Sequence, residues 1–233
     1  MMTTIVITGA SQGIGAEIAK KFSGLQNAVV LLLARSETKL KMIKEECRQL
    51  GAEAHYFACD VTDEMQIKNV AQQIMTKWSA PDVLINNAGF YQPTSFTETT
   101  ADEFQFQINI NLTSAFLVTQ AFLPPMLEKK TGDIFYVCST ASWQPFPVSP
   151  AYCAAKHGLL GLSRTLRDTT KDKGLRVVAI MPGKTRTPAW DGTDIPVEKF
   201  IPADDVANII LSIHQLDRRT NIDEIIVRPR ESS

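Results

Sequence analysis

The chain has 233 residues, of which 44% are hydrophobic, and a formal net charge of −1 from 24 basic and 25 acidic side chains. A chain of this length can bury a sizeable core, and no Pro-, Gly- or Ser-rich linker divides it, so we expect a single domain over residues 1–233. The charges are scattered, without the basic stripe of a nucleic-acid-binding protein or the polybasic patch of a membrane-surface protein. We therefore expect neither nucleic acid nor membrane as a partner.

Targeting, disulfide and metal signals are also missing from the sequence. The longest apolar run, Ala28 to Ala34, is much shorter than the ~20 residues of a membrane helix, and Met1 to Thr4 lacks the features of a signal peptide. The four cysteines form no Cys-x-x-Cys pair, and the three histidines share no metal-ligand spacing. We expect a cytoplasmic protein with free thiols and no metal.

A strand, a glycine turn and a helix open the chain. The β-branched apolar run Thr3 to Thr8 predicts a strand, and a helical pattern begins by Gly13. Gly9, Gly13 and Gly15 permit positive φ, and they let backbone N–H groups approach a pyrophosphate at the positive end of the helix. The pattern predicts a nucleotide site, although such a turn can also be purely structural.

The end of the second predicted strand bears on the choice of cofactor. In dinucleotide folds an acidic residue about 20 positions after the glycine turn binds the ribose of NAD and would repel a 2′-phosphate. Here that place holds neutral Ala34, followed by the cation Arg35 and the hydroxyl of Ser36. We predict a preference for NADP. The alternative is that Arg35 is a solvated charge, and Glu37 is an acidic neighbour that weakens the case.

Two further strands are predicted before the middle of the chain. His55 to Ala58 is the third strand, and Asp60 with Val61 follows it at the turn before the next helix. The fourth strand, Asp82 to Ile85, leads into Asn86-Asn87-Ala88-Gly89, whose small residues let a cofactor lie close to the backbone.

A long helix is predicted from Ala101 to Leu127, with apolar residues on two stripes. Packing on a sheet needs only one stripe. The second stripe predicts contact with a partner helix, or cover by loops of the same chain.

A hydroxyl, a phenol and an ammonium group are predicted to meet at one edge of the sheet. The apolar run Ile134 to Cys138 predicts a strand that ends at Ser139. Tyr152 and Lys156 lie four residues apart, so a helix places them on one face. A phenol titrates near ~10 and exchanges protons poorly at neutral pH unless a positive charge such as Lys156 stabilises its anion. Alone, this spacing also fits an ordinary exposed helix face.

The last third of the chain completes an alternating pattern. Leu175 to Met181 predicts the sixth strand, a short segment follows at about 188–201, a helix runs from Pro202 to about Leu216, and Ile222 to Val227 predicts the seventh strand. Strands that alternate with helices predict an α/β fold: a single doubly wound Rossmann-type domain with a seven-stranded parallel sheet.

Taken together, these motifs resemble the short-chain dehydrogenase/reductase family. The family signatures are Thr-Gly-x-x-x-Gly-x-Gly, here Thr8 to Gly15, then Asn-Asn-Ala-Gly, here Asn86 to Gly89, and a serine followed by Tyr-x-x-x-Lys. Ser139, Tyr152 and Lys156 supply the last set in the family's order and spacing. The resemblance extends from residue 3 to about residue 190.

The resemblance implies a role for each catalytic residue. Tyr152 would be the general acid/base, Lys156 would lower its pKa and hold the nicotinamide ribose, and Ser139 would bind the substrate oxygen. Asn111 would support a water relay, an assignment that rests on resemblance because Asn109 lies two residues away. The residues implied to bind NADP are Gly9, Ser11, Gln12, Gly13, Ile14, Gly15, Arg35, Ser36, Asp60, Val61, Asn87, Ala88, Gly89, Tyr152, Lys156, Pro182, Gly183, Thr185 and Thr187.

The implied activity is NADP(H)-dependent hydride transfer to or from a ketone, an aldehyde or a secondary alcohol, in a homodimer or homotetramer. A 3-oxoacyl-thioester reductase is an alternative, as are an NADP-binding regulator and a sugar-nucleotide isomerase or dehydratase. Apolar side chains near the site favour small to medium, uncharged substrates. The side chains expected to line the substrate pocket are Trp143, Phe146, Val148, Trp190, Ile195, Val197 and Phe200.

Overall fold

A computed structural model describes residues 2–230 of the chain. The strands are β1 (Thr3–Thr8), β2 (Ala28–Ala34), β3 (Glu53–Ala58), β4 (Val83–Asn86), β5 (Gly132–Val137), β6 (Leu175–Pro182), β7 (Thr185–Arg186), β8 (Ile201–Pro202) and β9 (Glu224–Val227). The helices are α1 (Gly13–Ser23), α2 (Glu37–Gln49), α3 (Glu64–Trp78), α4 (Ala101–Ile108), α5 (Ser114–Lys129), α6 (Pro150–Thr170) and α7 (Ala203–Gln215).

One parallel sheet of seven strands organises the molecule, in the order β3-β2-β1-β4-β5-β6-β9. The short strands β7 and β8 pair only with each other. The strand order reverses between β1 and β4, and in doubly wound folds the ligand crevice opens at this point, beyond the carboxyl ends of the strands. The predicted single α/β domain with a seven-stranded parallel sheet is confirmed.

Helices cover both faces of the sheet. Alternate residues of β2 enter two separate cores, one shared with α1, α2 and α7 and the other with α3, α5 and α6. Every residue of β2 and of β6 is therefore buried. Burial on both faces explains why these strands are continuous apolar runs rather than alternating ones.

The edge strands differ from prediction at their first residues. β3 begins at Glu53 rather than His55, because Glu53 pairs with Val29 in the ladder although its side chain is exposed. β9 begins at Glu224 rather than Ile222, whose side chain packs on the core before backbone pairing starts. Backbone pairing with the neighbouring strand sets where β3 and β9 begin, and the apolar character of the sequence does not reveal that pairing.

The long helix predicted from Ala101 to Leu127 is interrupted in the structure. A π-helical turn at Asn109–Thr113 separates α4 from α5. Such turns insert one residue into the helical repeat and often occur at functional sites. Side-chain periodicity did not reveal it.

The run Ala101–Lys129 is the one helix in the described part of the chain that is long and apolar enough to cross a membrane, with mean hydropathy 1.3. Of its most apolar window, 44% is buried inside the fold. Val118, Phe122 and Met126 pack in the core beneath the sheet. Core packing therefore accounts for the apolar character of one stripe of this helix.

Candidate active site

A cavity of about 590 Å³ opens at the carboxyl edge of the sheet. Segments that follow β1 through β6 all contribute to its wall. Every residue that the sequence assigned to catalysis or cofactor binding lines it, with the exception of Gly15.

The glycine turn is shaped by two different requirements. Gly9 and Gly13 have φ of +65° and +58°, which L side chains rarely adopt. At Gly15 the requirement is space, because a Cβ there would lie 2.3 Å from the carbonyl oxygen of Gly9 and 2.5 Å from Nδ2 of Asn87. Gly15 thus supports the cavity wall from behind.

Hydrogen bonds tie the glycine turn to the loop after β4. The Thr8 hydroxyl accepts the backbone N–H groups of Asn87 and Ala88 at 3.0 and 3.1 Å. The Asn87 amide donates to the carbonyl oxygens of Thr8 and Gly9 at 3.0 and 3.2 Å. The Asn87 side chain therefore holds the two loops together.

The start of α2 places basic groups at the cavity. Ser36 is the N-cap of α2 and accepts the backbone N–H of Lys39. The Lys39 ammonium donates to Oε1 of Gln12 in the glycine turn at 2.5 Å. Arg35 is exposed beside them and forms no ion pair within residues 2–230. The sequence analysis missed Lys39; its position three residues after the cap was the available signal.

Glu37, the acidic neighbour of Arg35, is engaged elsewhere. Its carboxylate pairs with Lys41 at 2.8 Å and accepts the Tyr56 hydroxyl at 3.1 Å. Hydrogen bonds from Lys41 and then from Tyr56 lower the pKa of Glu37. This acidic group does not pair with Arg35.

Asp60 has a local partner for its side chain. Its carboxylate accepts the Thr62 backbone N–H at 2.9 Å and the Thr62 hydroxyl at 2.7 Å, while Asp63 caps α3. The Asp60 carboxylate therefore stabilises the turn before α3. Asp60 and Val61 also line the cavity.

Ser139, Tyr152 and Lys156 come together on the opposite wall. Ser139 lies two residues after the end of β5, where its hydroxyl accepts the Ala141 backbone N–H at 3.1 Å. Tyr152 lies in the first turn of α6 and Lys156 one turn later. The Lys156 ammonium donates to the Val137 carbonyl oxygen at 2.9 Å and lies 5.7 Å from the centre of the Tyr152 ring.

Burial dominates the electrostatics of this wall. It raises the pKa of Tyr152 to about 12, against the opposite effect of the Ser139 hydroxyl. Burial also lowers the pKa of Lys156, which is only 4% exposed, to about 8. The sequence analysis expected Lys156 to lower the pKa of Tyr152. The net direction for Tyr152 is upward, because burial is the largest influence on its pKa.

Asn111 occupies the middle of the π turn and is fully buried. Its amide oxygen accepts the Phe90 backbone N–H at 3.1 Å, and its amide nitrogen donates to the Phe90 carbonyl at 2.9 Å and to Oε1 of Gln107 at 2.9 Å. Asn109 instead accepts a hydrogen bond from exposed Gln105. Asn111 is therefore the asparagine at the cavity.

Gly89 joins Asn111 to the lysine. A Cβ at Gly89 would lie 2.8 Å from Oδ1 of Asn111 and 3.5 Å from Nζ of Lys156. The missing side chain leaves these polar atoms facing the cavity. The sequence analysis missed Gln107. The one available signal was its position, as a polar residue in an apolar stretch four positions before Asn111.

The segment after β6 closes the third side. The Gly183 backbone N–H donates to the Val227 carbonyl at 2.8 Å, and the Thr185 hydroxyl donates to the Gly183 carbonyl at 3.0 Å. Thr187 reaches the glycine turn, 3.1 Å from the position of a Cβ on Gly13. These contacts fix the loop that carries the predicted residues Pro182, Gly183, Thr185 and Thr187.

The predicted apolar lining is only partly correct. Phe146 and Trp190 line the cavity together with Tyr91, which the sequence analysis missed. The prediction is wrong for five side chains that do not line the cavity. These are Trp143, Val148, Ile195, Val197 and Phe200.

No group of three or more His, Cys, Asp or Glu side chains within residues 2–230 could hold a metal ion.

Fold and site define a nucleotide-binding Rossmann-type domain with serine, tyrosine and lysine at the crevice. The family model for short chain dehydrogenase matches residues 3–195. The chain therefore belongs to the short-chain dehydrogenase family of oxidoreductases, which confirms the resemblance seen in its motifs.

Individual relatives span nearly the whole chain. Sepiapterin reductase of Chlorobaculum tepidum is 30% identical over 236 residues, covering 98% of this chain and 97% of that protein. The 3-oxoacyl-(acyl-carrier-protein) reductase of Thermotoga maritima is 30% identical over 216 residues, covering 88% and 87%. An alcohol dehydrogenase from Thermococcus sibiricus, solved in complex with 5-hydroxy-NADP, superposes with a TM-score of 0.93 at 26% identity, covering 100% of this chain and 99% of that one.

The lowered pKa of Lys156 predicts a pH dependence of stability. The unfolded chain keeps this lysine protonated up to about pH 10.5, whereas the folded chain loses the proton near pH 8. Between these pH values the unfolded state binds more protons, so stability should rise with pH by about 3 kcal/mol. Lys156→Met removes this contribution.

Urea unfolding of the cofactor-free protein from pH 7.5 to 10.5 measures the effect. As pH rises, the free energy of unfolding of the wild type should increase relative to that of Lys156→Met. Lys173→Met, at an exposed position, controls for the loss of a lysine. Parallel curves for wild type and Lys156→Met would show that the buried ammonium is not destabilised.

Proposed function

We propose that the protein is an NADP(H)-dependent oxidoreductase that transfers hydride between nicotinamide and a small to medium ketone, aldehyde or secondary alcohol. The observation that carries the proposal is the meeting of Ser139, Tyr152 and Lys156 across one cavity from the glycine turn. The relative from Thermococcus sibiricus, an alcohol dehydrogenase complexed with 5-hydroxy-NADP, supports both the cofactor and the reaction type.

The residues present fit a dinucleotide. The backbone at Gly9 and Gly13 adopts positive φ, so N–H groups at the start of α1 can bind a pyrophosphate. Arg35, Ser36 and Lys39 provide donors for a 2′-phosphate at the far end of the cavity. When bound, NADPH supplies the hydride.

The side chains of this protein would manage the proton. The Ser139 hydroxyl holds the carbonyl oxygen of the substrate, and Tyr152 gives its phenol proton to that oxygen as negative charge develops on it. Lys156 would stabilise the resulting phenolate and would bind the nicotinamide ribose when the cofactor is present. Asn111 keeps the polar wall beside Lys156 in place and supports the water relay that restores the proton. The segment 188–201 serves as a short lid over the substrate.

Other activities of the fold have less support here. A sugar-nucleotide isomerase or dehydratase needs a large substrate region after α6, and only the short segment 187–200 separates β7 from β8. A cofactor-binding regulator needs no complete catalytic set, yet Asn111, Ser139, Tyr152 and Lys156 are all present. A 3-oxoacyl-thioester reductase remains the closest alternative, given the relative from Thermotoga maritima.

We propose a cytoplasmic homodimer or homotetramer that pairs α4, α5 and α6 between copies. Phe104 and Phe116 are 43% and 45% exposed on this helical surface. Phe116→Glu should shift the protein toward monomer in sedimentation equilibrium, because it places a charge in the interface. Phe96→Glu, at an exposed loop position, is the control. A monomeric wild type would contradict the proposal.

Tyr152→Phe tests the proton donor. The substitution keeps the ring and removes the hydroxyl, so NADPH affinity should be retained while kcat for carbonyl reduction falls by roughly 10²–10⁴-fold. Tyr56→Phe, on β3, is the matched control. Lys156→Ala should weaken both turnover and NADPH binding. Turnover by Tyr152→Phe within threefold of wild type would rule out the assignment.

Arg35 tests the choice of cofactor. Hydrogen bonds to charged groups contribute roughly 1.5–3 kcal/mol, so Arg35 should favour NADPH over NADH by about ten- to a hundredfold. Ala34→Asp combined with Arg35→Ala should reverse the order, because the new carboxylate accepts ribose hydroxyls and repels the phosphate. Fluorescence titration of both cofactors measures the ratio. Lys41→Ala, whose lysine pairs with Glu37, is the control. Equal or tighter NADH binding by the wild type would disprove the role of Arg35.

A further inference from the structure

Three loops bring aromatic rings around the catalytic phenol. Tyr91 follows β4, Phe146 follows β5, and Trp190 follows β7. The centre of the Tyr91 ring lies 5.2 Å from that of Tyr152 in an edge-to-face arrangement and 5.9 Å from that of Phe146. Tyr91 therefore lies at the centre of the aromatic group.

Trp190 closes the group from the lid side. Its ring lies 6.1 Å from that of Tyr91 with an angle of 28° between planes, a nearly parallel arrangement. Phe200, which is 6% exposed, supports Trp190 from behind at 5.3 Å. The guanidinium of Arg186 lies 5.8 Å from the Phe200 ring and pairs with Asp191 at 3.0 Å. The lid ring is thus held in a defined position.

We propose that Tyr91 and Trp190 form a specificity clamp for carbonyl compounds whose reacting group is attached directly to a planar aromatic ring. The inference rests on the proposed carbonyl reduction at Tyr152. A flat ring can lie beside Trp190 against the Tyr91 ring, with its carbonyl toward the adjacent Tyr152. A puckered saturated ring is thicker and forms no ring-to-ring electrostatic contact.

The ring of Tyr91, rather than its hydroxyl, carries this role. The hydroxyl forms no hydrogen bond within residues 2–230, whereas the ring contacts three other aromatic side chains. Aromatic pairs contribute beyond their buried area by an amount equivalent to about two- to tenfold in binding. Tyr91→Phe should therefore retain selectivity, and Tyr91→Leu should lose it.

A matched pair of ketones tests the clamp. Acetophenone and cyclohexyl methyl ketone differ in the planarity of the ring beside the carbonyl. NADPH oxidation gives kcat/KM for each, and comparing the ratio between variants cancels the difference in intrinsic reactivity. The aryl-to-saturated ratio should fall about three- to tenfold in Tyr91→Leu relative to wild type. It should remain within twofold in Tyr91→Phe and in the control Phe96→Leu, which alters a highly exposed ring outside the cavity.

The outcomes separate this inference from the proposed function. Reduction of both ketones with an unchanged ratio in Tyr91→Leu overturns the clamp and leaves carbonyl reduction standing. If the wild type reduces neither these nor any other carbonyl compound with either cofactor, the proposed function itself fails. Trp190→Leu gives a second measurement should Tyr91→Leu not fold, and it should lower the ratio in the same direction. An unchanged ratio there also overturns the clamp.

Discussion

The contact between the glycine turn and the loop after β4 is the constraint on which the site depends. The sheet order reverses between β1 and β4, so the two loops leave the sheet side by side. The Thr8 hydroxyl accepts two N–H groups of the neighbouring loop, and the Asn87 amide donates back to two carbonyl oxygens of the turn. These bonds satisfy loop groups that the sheet cannot pair. The cavity opens beyond this contact, which is close enough to exclude a side chain at Gly15.

A buried cation is the second requirement, and it conflicts with stability. Lys156 is hydrogen-bonded to Val137, and burial lowers its pKa to about 8. Gly89 and Asn111 lie next to the ammonium, and no carboxylate of the described residues pairs with it. Perturbed pKa values of this kind concentrate at functional sites. The chain keeps a destabilising charge where the proposed chemistry needs one.

The sequence was sufficient for the sheet and for most of the cavity wall, since buried parallel strands are continuous apolar runs and loop residues follow directly from them. It was insufficient where a role depends on side chains meeting across the fold. Lys39 donates a hydrogen bond to Gln12, 27 positions away, and Glu37 accepts one from Tyr56. Tyr91 contacts aromatic rings from two later loops. The π turn leaves no trace in the hydrophobic pattern for another reason, because one inserted residue scarcely changes an apolar helix pattern.

The protonation state of the site bears on the direction of the proposed reaction. A phenol whose pKa burial raises to about 12 keeps its proton at neutral pH. In that state Tyr152 can donate a proton to a carbonyl oxygen, but it cannot accept one from an alcohol. For the reverse reaction, the charge that would stabilise the phenolate is the ammonium of Lys156, 5.7 Å from the ring centre. The described side chains thus hold Tyr152 in the proton-donating form that carbonyl reduction needs, with this ammonium nearby.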